Sequence, residues 1–469
     1  MKKLTSILLI FFSIFLLKTK GNVFASTINI EDIFFSIDSN YCETDTIDHI
    51  HFGPRVYSSI SSNGDEIYNT FILGKVATVN FRKKIRFIAQ LDYLNGNFNS
   101  LNRELSDSLG LYFPSYGLTR LRWQYNLFYK FNKFISTEFG KGNNFIGHGY
   151  RSLLLSNLSS VYPYLKIKTE FGKVKYYNIY TTFLNPNMSN YGRKKHSTIH
   201  YLDYAITKNI NFGVFESILW QSKSEEVSKG FELSYLNPVI FYRPVEFSKH
   251  SNKGNALMGA TLKIQFKQIS FYGQFLLDDL NISRQKDSDD NYQGGFFQNK
   301  YGYQLGFKGN IEDVNFIIEY NQVQPYTYGH RTILQNYSHM NQSLAHPLGA
   351  NFKEYINILE MKRKKWRYRI YTMFAVVGLD SLGTHYGQNI FASDYDASTG
   401  GMLSYGNVNG QGVSTNIILF QPEISYKFKV FEIFGTIHYR EKKSNLIDQT
   451  NLFFSIGFRN FPFSSFTDY

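Results

Sequence analysis

Hydrophobic and polar residues alternate with a period of two in many short stretches of this chain. In RLRWQYNL (120–127) the apolar set is Leu121, Trp123, Tyr125 and Leu127, and arginine, glutamine and asparagine stand between its members. Strict alternation places successive side chains on opposite faces of a β-strand. The stretch therefore predicts a strand with one aromatic-rich face and one polar or charged face.

The same alternation recurs along the chain, which predicts an all-β protein. It is seen in YGYQLGFKG (301–309), EISYKFKV (423–430) and the C-terminal stretch 452–459, and further strands are expected to begin near Leu165, Val314, Trp366 and Phe431. In a β-sandwich the aromatic faces would pack in a core. In a transmembrane outer-membrane β-barrel they face lipid and the charges line the lumen. We favour the barrel, with about 18 antiparallel strands at roughly 25 residues per strand and connection, and with the last strand closing against the first.

Composition agrees with the barrel rather than with a soluble sandwich. Aromatic residues make up 18% of the chain, yet the mean hydropathy is −0.29. After residue 26 no apolar run is long enough for a transmembrane helix. A barrel combines a lipid-facing apolar band and aromatic girdles with a polar interior, and this explains both values.

The N-terminus predicts an export signal. Lys2 and Lys3 precede a mostly apolar run of 14 residues, Leu4 to Leu17, and a small-residue cleavage site stands before Ser26. The alternative is an N-terminal membrane anchor. The expected organisation is a signal peptide at 1–25, a periplasmic lead-in or first strands at 26–66, and an outer-membrane β-barrel at 67–469.

The formal net charge of +13 suggests an anionic partner. Basic residues alternate with apolar ones instead of clustering in a nucleic-acid motif, so nucleic acid is not expected and anionic lipid or acidic polysaccharide is. The one cysteine, Cys42, excludes an intramolecular disulfide.

No compact catalytic motif is present: the chain lacks G-x-S-x-G, H-E-x-x-H and C-x-x-C. We therefore expect no enzyme activity and no cofactor, and an outer-membrane hydrolase is a weak alternative. His330, His339 and His346 are spaced nine and seven apart, which matches no helical pair. A zinc site is an alternative, but we interpret them as hydrogen-bonded histidines that brace a folded loop.

Two proline-containing segments predict loops folded into the lumen. YLNPVIFYRPVEF (235–247) and EYNQVQPYTYGH (319–330) combine aromatic and charged residues, and a closed barrel places proline at turns, bulges or strand ends. Polar side chains packed inside a barrel can complete one another's hydrogen bonds. We expect a lumen occluded by inward-folded loops.

Six segments resemble motifs of the capsule-assembly Wzi family, in that family's order, and are most similar to its gliding-motility RemB-like branch in Bacteroidetes. They are NNFIGHGYRSLLLSN, YLNPVIFYRPVEF, YGQFLLDDL, NKYGYQLGFK, EYNQVQPYTYGH and NYSHMNQSLAHPLGANFKE. The resemblance spans roughly residues 120 to 460. It implies an occluded outer-membrane barrel that holds surface polysaccharide, with a role in motility for the branch.

The motif positions supply the candidate lumen-network or ligand-binding residues. These are Tyr150, Arg151, Arg243, Glu246, Asp278, Asp279, Glu319, Asn321, Tyr326, His330, His339, His346 and Asn351. Gln324 stands where the family pattern has arginine, so one lumen ion pair is expected to be missing.

The barrel and the resemblance together imply the partners. Expected partners are outer-membrane lipid and lipopolysaccharide, surface polysaccharide, and the barrel-assembly and periplasmic chaperone machinery, with the protein as a monomer. The alternative function is a porin or solute channel, which would conduct ions where an occluded anchor would not. The binding residues themselves are expected on long loops such as 281–299 and 386–409.

Overall fold

The structure is a computed structural model that describes residues 49–97, 120–185, 194–222, 235, 254–280, 297, 299–381, 383–393 and 405–461. Its strands are β1 (His49–Ser62), β2 (Ile67–Phe81), β3 (Ile85–Asn97), β4 (Arg120–Lys130), β5 (Ile135–Gly142), β6 (Tyr162–Phe171), β7 (Val174–Leu184), β8 (Lys194–Ala205), β9 (Ile210–Gln221), β10 (Asn255–Phe266), β11 (Ile269–Asp279), β12 (Lys300–Ile311), β13 (Val314–Val323), β14 (Ser338–His339), β15 (Gln342–Ser343), β16 (Phe352–Arg363), β17 (Trp366–Leu379), β18 (Val413–Lys427), β19 (Glu432–Lys443) and β20 (Asp448–Arg459). The predicted signal peptide, Cys42, Arg243 and Glu246 lie outside these residues.

Within the described residues, the long strands form one closed antiparallel barrel of 18 strands. Each barrel strand pairs with its neighbours in sequence, and β13 pairs with β16 across the connection that carries the short β14–β15 hairpin. The last strand pairs with the first, with Tyr57 opposite Arg459 and Ser62 opposite Phe454. This confirms the predicted fold class and the closure of the first strand by the last.

The alternation places side chains as predicted. Leu121, Trp123 and Leu127 on β4 are exposed on the outer wall, and so is Leu305 on β12. The strand predicted at 423–430 begins earlier and ends three residues sooner than expected, because β18 runs from Val413 to Lys427 and a Phe428 N–H···O=C Phe431 hydrogen bond closes the turn that follows.

Aromatic residues mark two levels on the outer wall. Near one rim, cross-strand contacts connect Tyr303, Tyr320, Tyr355 and Phe374, with ring centroids 4.6 to 6.5 Å apart. Near the other rim, exposed rings flank the tight turns. These are Phe81, Phe131, Phe134, Phe171, Phe266, Trp366 and Phe428. The two levels match the aromatic girdles of a membrane barrel.

The two ends of the barrel differ in the length of their connections. Eight hairpins at one end have turns of two to four residues: 82–84, 131–134, 172–173, 206–209, 267–268, 312–313, 364–365 and 428–431. Apart from the two tight turns at 63–66 and 444–447, the other end carries the long connections. Outer-membrane barrels turn their short connections to the periplasm and their long loops outward, which sets the orientation of this one.

Two of the long connections fold into the barrel. We call residues 143–161 the first inner loop and residues 324–351 the second inner loop. Leu153, Leu154 and Leu155 of the first inner loop are fully buried in the main apolar cluster, together with Tyr337 and Leu344 of the second. The Ser156 N–H donates to the Leu344 carbonyl over 2.7 Å, which joins the two loops. Within the described residues, no helix is long and apolar enough to cross a membrane.

Candidate functional site

The candidate site is a buried polar network between the inner loops and the inner wall of β11 to β17. Its centre is Glu319 on β13, whose carboxylate accepts the backbone N–H groups of Tyr150 (2.7 Å) and Arg151 (3.0 Å). The Tyr272 hydroxyl (2.9 Å) and the Asn321 amide (2.9 Å) also donate to it. Four donors therefore hold this one side chain, and they fix the first inner loop against the wall.

The first inner loop approaches Glu319 closely because it has glycine at position 149. A Cβ placed on Gly149 would lie 2.2 Å from Glu319 Oε2 and 2.7 Å from Gln304 Oε1. Any side chain at this position would push Glu319 away from the two N–H groups that it accepts.

Arg151 and Glu354 form a buried ion pair next to Glu319. The Arg151 Nη2 lies 3.3 Å from Glu354 Oε1 and 3.4 Å from the Tyr371 hydroxyl. Side-chain exposure is 3% for Arg151 and 0% for Glu354. The guanidinium carbon also lies 4.9 Å from the centre of the Tyr150 ring. A buried ion pair is stabilised by further hydrogen bonds, and here Glu354 also accepts from Asn321 and His346 while Arg151 also reaches the Tyr371 hydroxyl.

His346 of the second inner loop also bonds to Glu354. Its Nε2 lies 2.7 Å from Glu354 Oε2, and its Nδ1 accepts the Leu348 N–H over 3.2 Å. Because Nδ1 is an acceptor, the proton sits on Nε2 and is donated to Glu354. The ring stacks on Phe352 at 4.2 Å. Both ring nitrogens therefore bond to groups of the network and its loop.

Asn321 bridges the two carboxylates. Its Nδ2 lies 2.9 Å from Glu319 Oε1 and 2.9 Å from Glu354 Oε2, and its Oδ1 accepts from Gln304 over 2.9 Å. The structure thus brings five of the predicted residues into one network. These are Tyr150, Arg151, Glu319, Asn321 and His346.

The predicted residues Asp278, Tyr326 and His330 lie elsewhere in the lumen. Asp278 accepts the N–H of Tyr328 over 2.7 Å, which fixes the second inner loop to β11. Tyr326 donates its hydroxyl to the His385 carbonyl over 3.0 Å. His330 contacts the backbone of Thr332. Asp279, another predicted residue, accepts the backbone N–H of its neighbour Leu280 at the end of β11.

His339 braces the hairpin of the second inner loop. Its Nδ1 accepts the Leu184 N–H over 2.9 Å, and its ring packs on Tyr162 and Phe183. Burial, together with the nearby Lys195 ammonium, lowers the pKa of His339 to about 3. The three histidines contact different groups. Among the described residues no cluster of three or more histidine, cysteine or acidic side chains could hold a metal ion.

Asn351 ties the second inner loop to the long connection between β17 and β18. Its Nδ2 lies 2.8 Å from the Gly378 carbonyl and 3.1 Å from those of Tyr386 and Gln411, and its Oδ1 accepts the Gly410 N–H over 2.8 Å. The residue has φ +56°, in the left-handed region that asparagine tolerates. One side chain therefore positions two stretches of that connection.

Sequence reasoning did not single out Glu354, Tyr272, Gln304 or Lys195. Glu354 had a local signal, since it stands among apolar residues on the inward face of β16. Lys195 had none. Its buried ammonium donates to the Asn336 carbonyl and side chain, both at 2.6 Å, and to the Ser338 hydroxyl at 3.0 Å, which only the folded loop supplies. Gln324, in place of the expected arginine, bonds the Tyr301 hydroxyl at 3.1 Å.

Comparison with known proteins supports the barrel. No family model matches the chain, and no curated protein sequence matches it. Among solved structures, the chain is similar to Wzi of Escherichia coli, described as an outer-membrane protein involved in group 1 capsule assembly and a carbohydrate-binding β-barrel. The TM-score is 0.57 at 14% identity, over 88% of this chain and 85% of that one.

OprD of Pseudomonas aeruginosa is a more distant structural match. The TM-score is 0.46 at 9% identity, over 88% of this chain and 94% of that one. The match to Wzi, at 14% identity, establishes the fold of an outer-membrane β-barrel and nothing finer.

Proposed function

We propose that this protein is a non-enzymatic outer-membrane barrel that binds or anchors surface polysaccharide, capsular or exopolysaccharide, at its long-loop end. The observation that supports the proposal is the buried network between the inner loops and the barrel wall, in which Arg151, Asn321 and His346 all bond to Glu354. Buried polar networks of this kind resist opening because each broken bond leaves an unsatisfied group. Loops held inside the barrel in this way favour retention of a ligand at the rim over its passage through the barrel.

The rim has groups suited to sugar. Asn351 holds the β17–β18 connection, where Phe391 is exposed and Gln388 and Asn389 supply amides close by. Aromatic rings stack on pyranose faces and amides satisfy hydroxyl groups. The similarity in fold to a barrel described as carbohydrate-binding, and the sequence motifs that resemble its family, support the same ligand class.

The first test is retention of polysaccharide by cells. A strain lacking the protein is expected to shed polysaccharide into the medium at unchanged total synthesis, and expression of the wild-type chain should restore retention. Phe391→Ala should restore it less well, while Leu446→Ala, an exposed apolar residue in another turn at the same end, should restore it fully. Unchanged retention in the deletion strain would sink the proposal.

Conductance separates the anchor from the porin. The purified full chain in a planar bilayer is expected to show no steady ion conductance, because two inner loops are fixed inside the barrel by buried hydrogen bonds. Stable open channels from the wild-type protein would overturn the proposal in favour of the channel.

The finer parts of the proposal rest on the sequence alone. We propose that the chain is exported by the signal peptide at 1–25, is inserted by the barrel-assembly machinery with periplasmic chaperones, and acts as a monomer beside lipopolysaccharide. The resemblance to the RemB-like branch supports a contribution to gliding motility. N-terminal sequencing of the membrane form and surface spreading of the deletion strain test the first and last points.

A further inference from the structure

The short-turn end of the barrel carries a ring of positive charge. Its eight tight turns contain ten basic residues and two acids, Glu312 and Asp313, which share one turn. The basic residues are Arg82, Lys83, Lys84, Lys133, Lys173, Lys208, Lys267, Lys364, Lys365 and Lys429, and all are exposed. We call this set the cationic collar. The two tight turns at the opposite end, 63–66 and 444–447, contain no basic residue.

The collar lies at the level of the lower aromatic girdle. The Lys133 ammonium is 4.8 Å from the centre of the Phe134 ring, that of Lys267 is 5.8 Å from Phe266, and that of Lys365 is 5.9 Å from Tyr426. Phe134 and Phe266 are exposed on the outer wall. Aromatic rings of a girdle sit at the headgroup level, so the cations beside them reach the same layer.

Several residues in the tight turns of this end have a left-handed backbone conformation. Positive φ values occur at five positions in these turns: Arg82 (+50°), Lys83 (+53°), Lys267 (+51°), Lys364 (+56°) and the acidic Glu312 (+52°). Tight hairpin turns place glycine, asparagine or aspartate at such positions, because a side chain in the left-handed region is disfavoured. Lysine at three of them is not explained by turn chemistry. Four of the five positions are basic, so this end carries cations even where the backbone favours glycine or asparagine.

We propose that the cationic collar binds the head groups of anionic phospholipids, such as phosphatidylglycerol, in the periplasmic leaflet of the outer membrane. Charge complementarity and the position beside lipid-facing rings favour this ligand. Acidic polysaccharide in the periplasm has the same sign of charge. However, an acidic polysaccharide would bind equally well to cations that lie away from the girdle.

Trp366 offers a local probe, since it directly follows Lys364 and Lys365 and is exposed. The chain has three tryptophans, so Trp123→Phe with Trp220→Phe leaves Trp366 as the only one. The full chain with these two changes would be refolded into phosphatidylcholine vesicles containing brominated phosphatidylglycerol or brominated phosphatidylcholine. Quenching of Trp366 then measures the relative affinity of the two lipids at the collar.

The expected result is a preference for phosphatidylglycerol that falls at high salt. In the same background, Lys364→Gln with Lys365→Gln should lower the preference about tenfold or more. The matched control, Lys194→Gln with Lys443→Gln, removes two exposed lysines at the opposite end and should leave it unchanged. Heat-modifiable migration on gels confirms that each variant is folded.

Equal quenching by the two lipids, or a preference that survives the loss of Lys364 and Lys365, would overturn the proposal. Binding of soluble alginate in detergent that depends on these lysines, without any lipid preference, would also overturn it and assign the collar to polysaccharide.

Discussion

Arg151 and Glu354 are 203 residues apart in sequence and form an ion pair of 3.3 Å inside the barrel. Arg151 comes from a loop that enters the lumen, and Glu354 comes from the wall. Because both side chains are buried, neither charge has water as an alternative partner. The pair therefore couples the position of the first inner loop to the integrity of the wall.

Breaking this pair is expected to destabilise the protein strongly. Glu354→Gln leaves the Arg151 charge buried without its counterion and should lower the free energy of unfolding by about 3–5 kcal/mol. Urea unfolding of the refolded barrel measures the change. Glu312→Gln, in an exposed turn, is the control and should alter it by less than about 0.5 kcal/mol.

The same pair predicts non-additive substitutions. Arg151→Met combined with Glu354→Gln removes both charges, so the double variant should lose less stability than the sum of the two single variants. Simple additivity in the urea experiment would show that the two side chains are not coupled.

Gly149 is expected to control the seating of the first inner loop. Gly149→Ala forces Glu319 away and should cost about 1–3 kcal/mol. Trypsin should then cut after Arg151, which the wild-type protein buries, and mass spectrometry of the fragments detects the cut. Gly435→Ala is the control, since the nearest atoms to its added Cβ are 3.9 Å away. Equal trypsin resistance in both variants would contradict the proposed role of this glycine.

Asn351 is expected to hold the rim in the form that binds sugar. Asn351→Gly keeps the left-handed backbone and removes the side chain, so its effect isolates the hydrogen bonds to Gly378, Tyr386, Gly410 and Gln411. We expect a loss of about 1–3 kcal/mol in unfolding free energy and weaker binding of the cell's own polysaccharide. Retained binding with the full loss of stability would separate the rim from the ligand site.

Acid is expected to loosen the second inner loop through His339. Its pKa is lowered from 6.5 to about 3 in the folded protein, so it stays neutral there while the unfolded chain takes up a proton below pH 6.5. The unfolded state thus binds more protons between these values, and stability falls as pH falls through this window. At pH 5 this effect lowers the free energy of unfolding by about 2 kcal/mol.

His339→Gln is the matching variant for the pH experiment. It removes the titrating group. The difference in free energy of unfolding between the wild type and the variant should therefore shrink as pH falls from 7 to 5. The urea midpoint at several pH values measures this. A constant difference across that range would show that His339 does not titrate as expected.

The sequence by itself determined the strands, the outward and inward faces and the closure of the barrel. Those features follow from a period of two within each segment, as in RLRWQYNL, where neighbours along the chain decide which face is apolar. The family-like motifs also pointed to Tyr150, Arg151, Glu319, Asn321 and His346, without indicating which residue contacts which.

Tertiary structure alone decided the partners and the distribution of charge between the ends. Glu354 is an ordinary inward acid until the first inner loop brings Arg151 to it, and Lys195 is tolerated in the interior because a folded loop presents three acceptors. Likewise the collar lysines are scattered from position 83 to position 429. Only the up-and-down path of the strands brings every tight turn that contains them to one end. The physical reason is that alternation is local, whereas burial and charge clustering depend on residues that are distant in sequence.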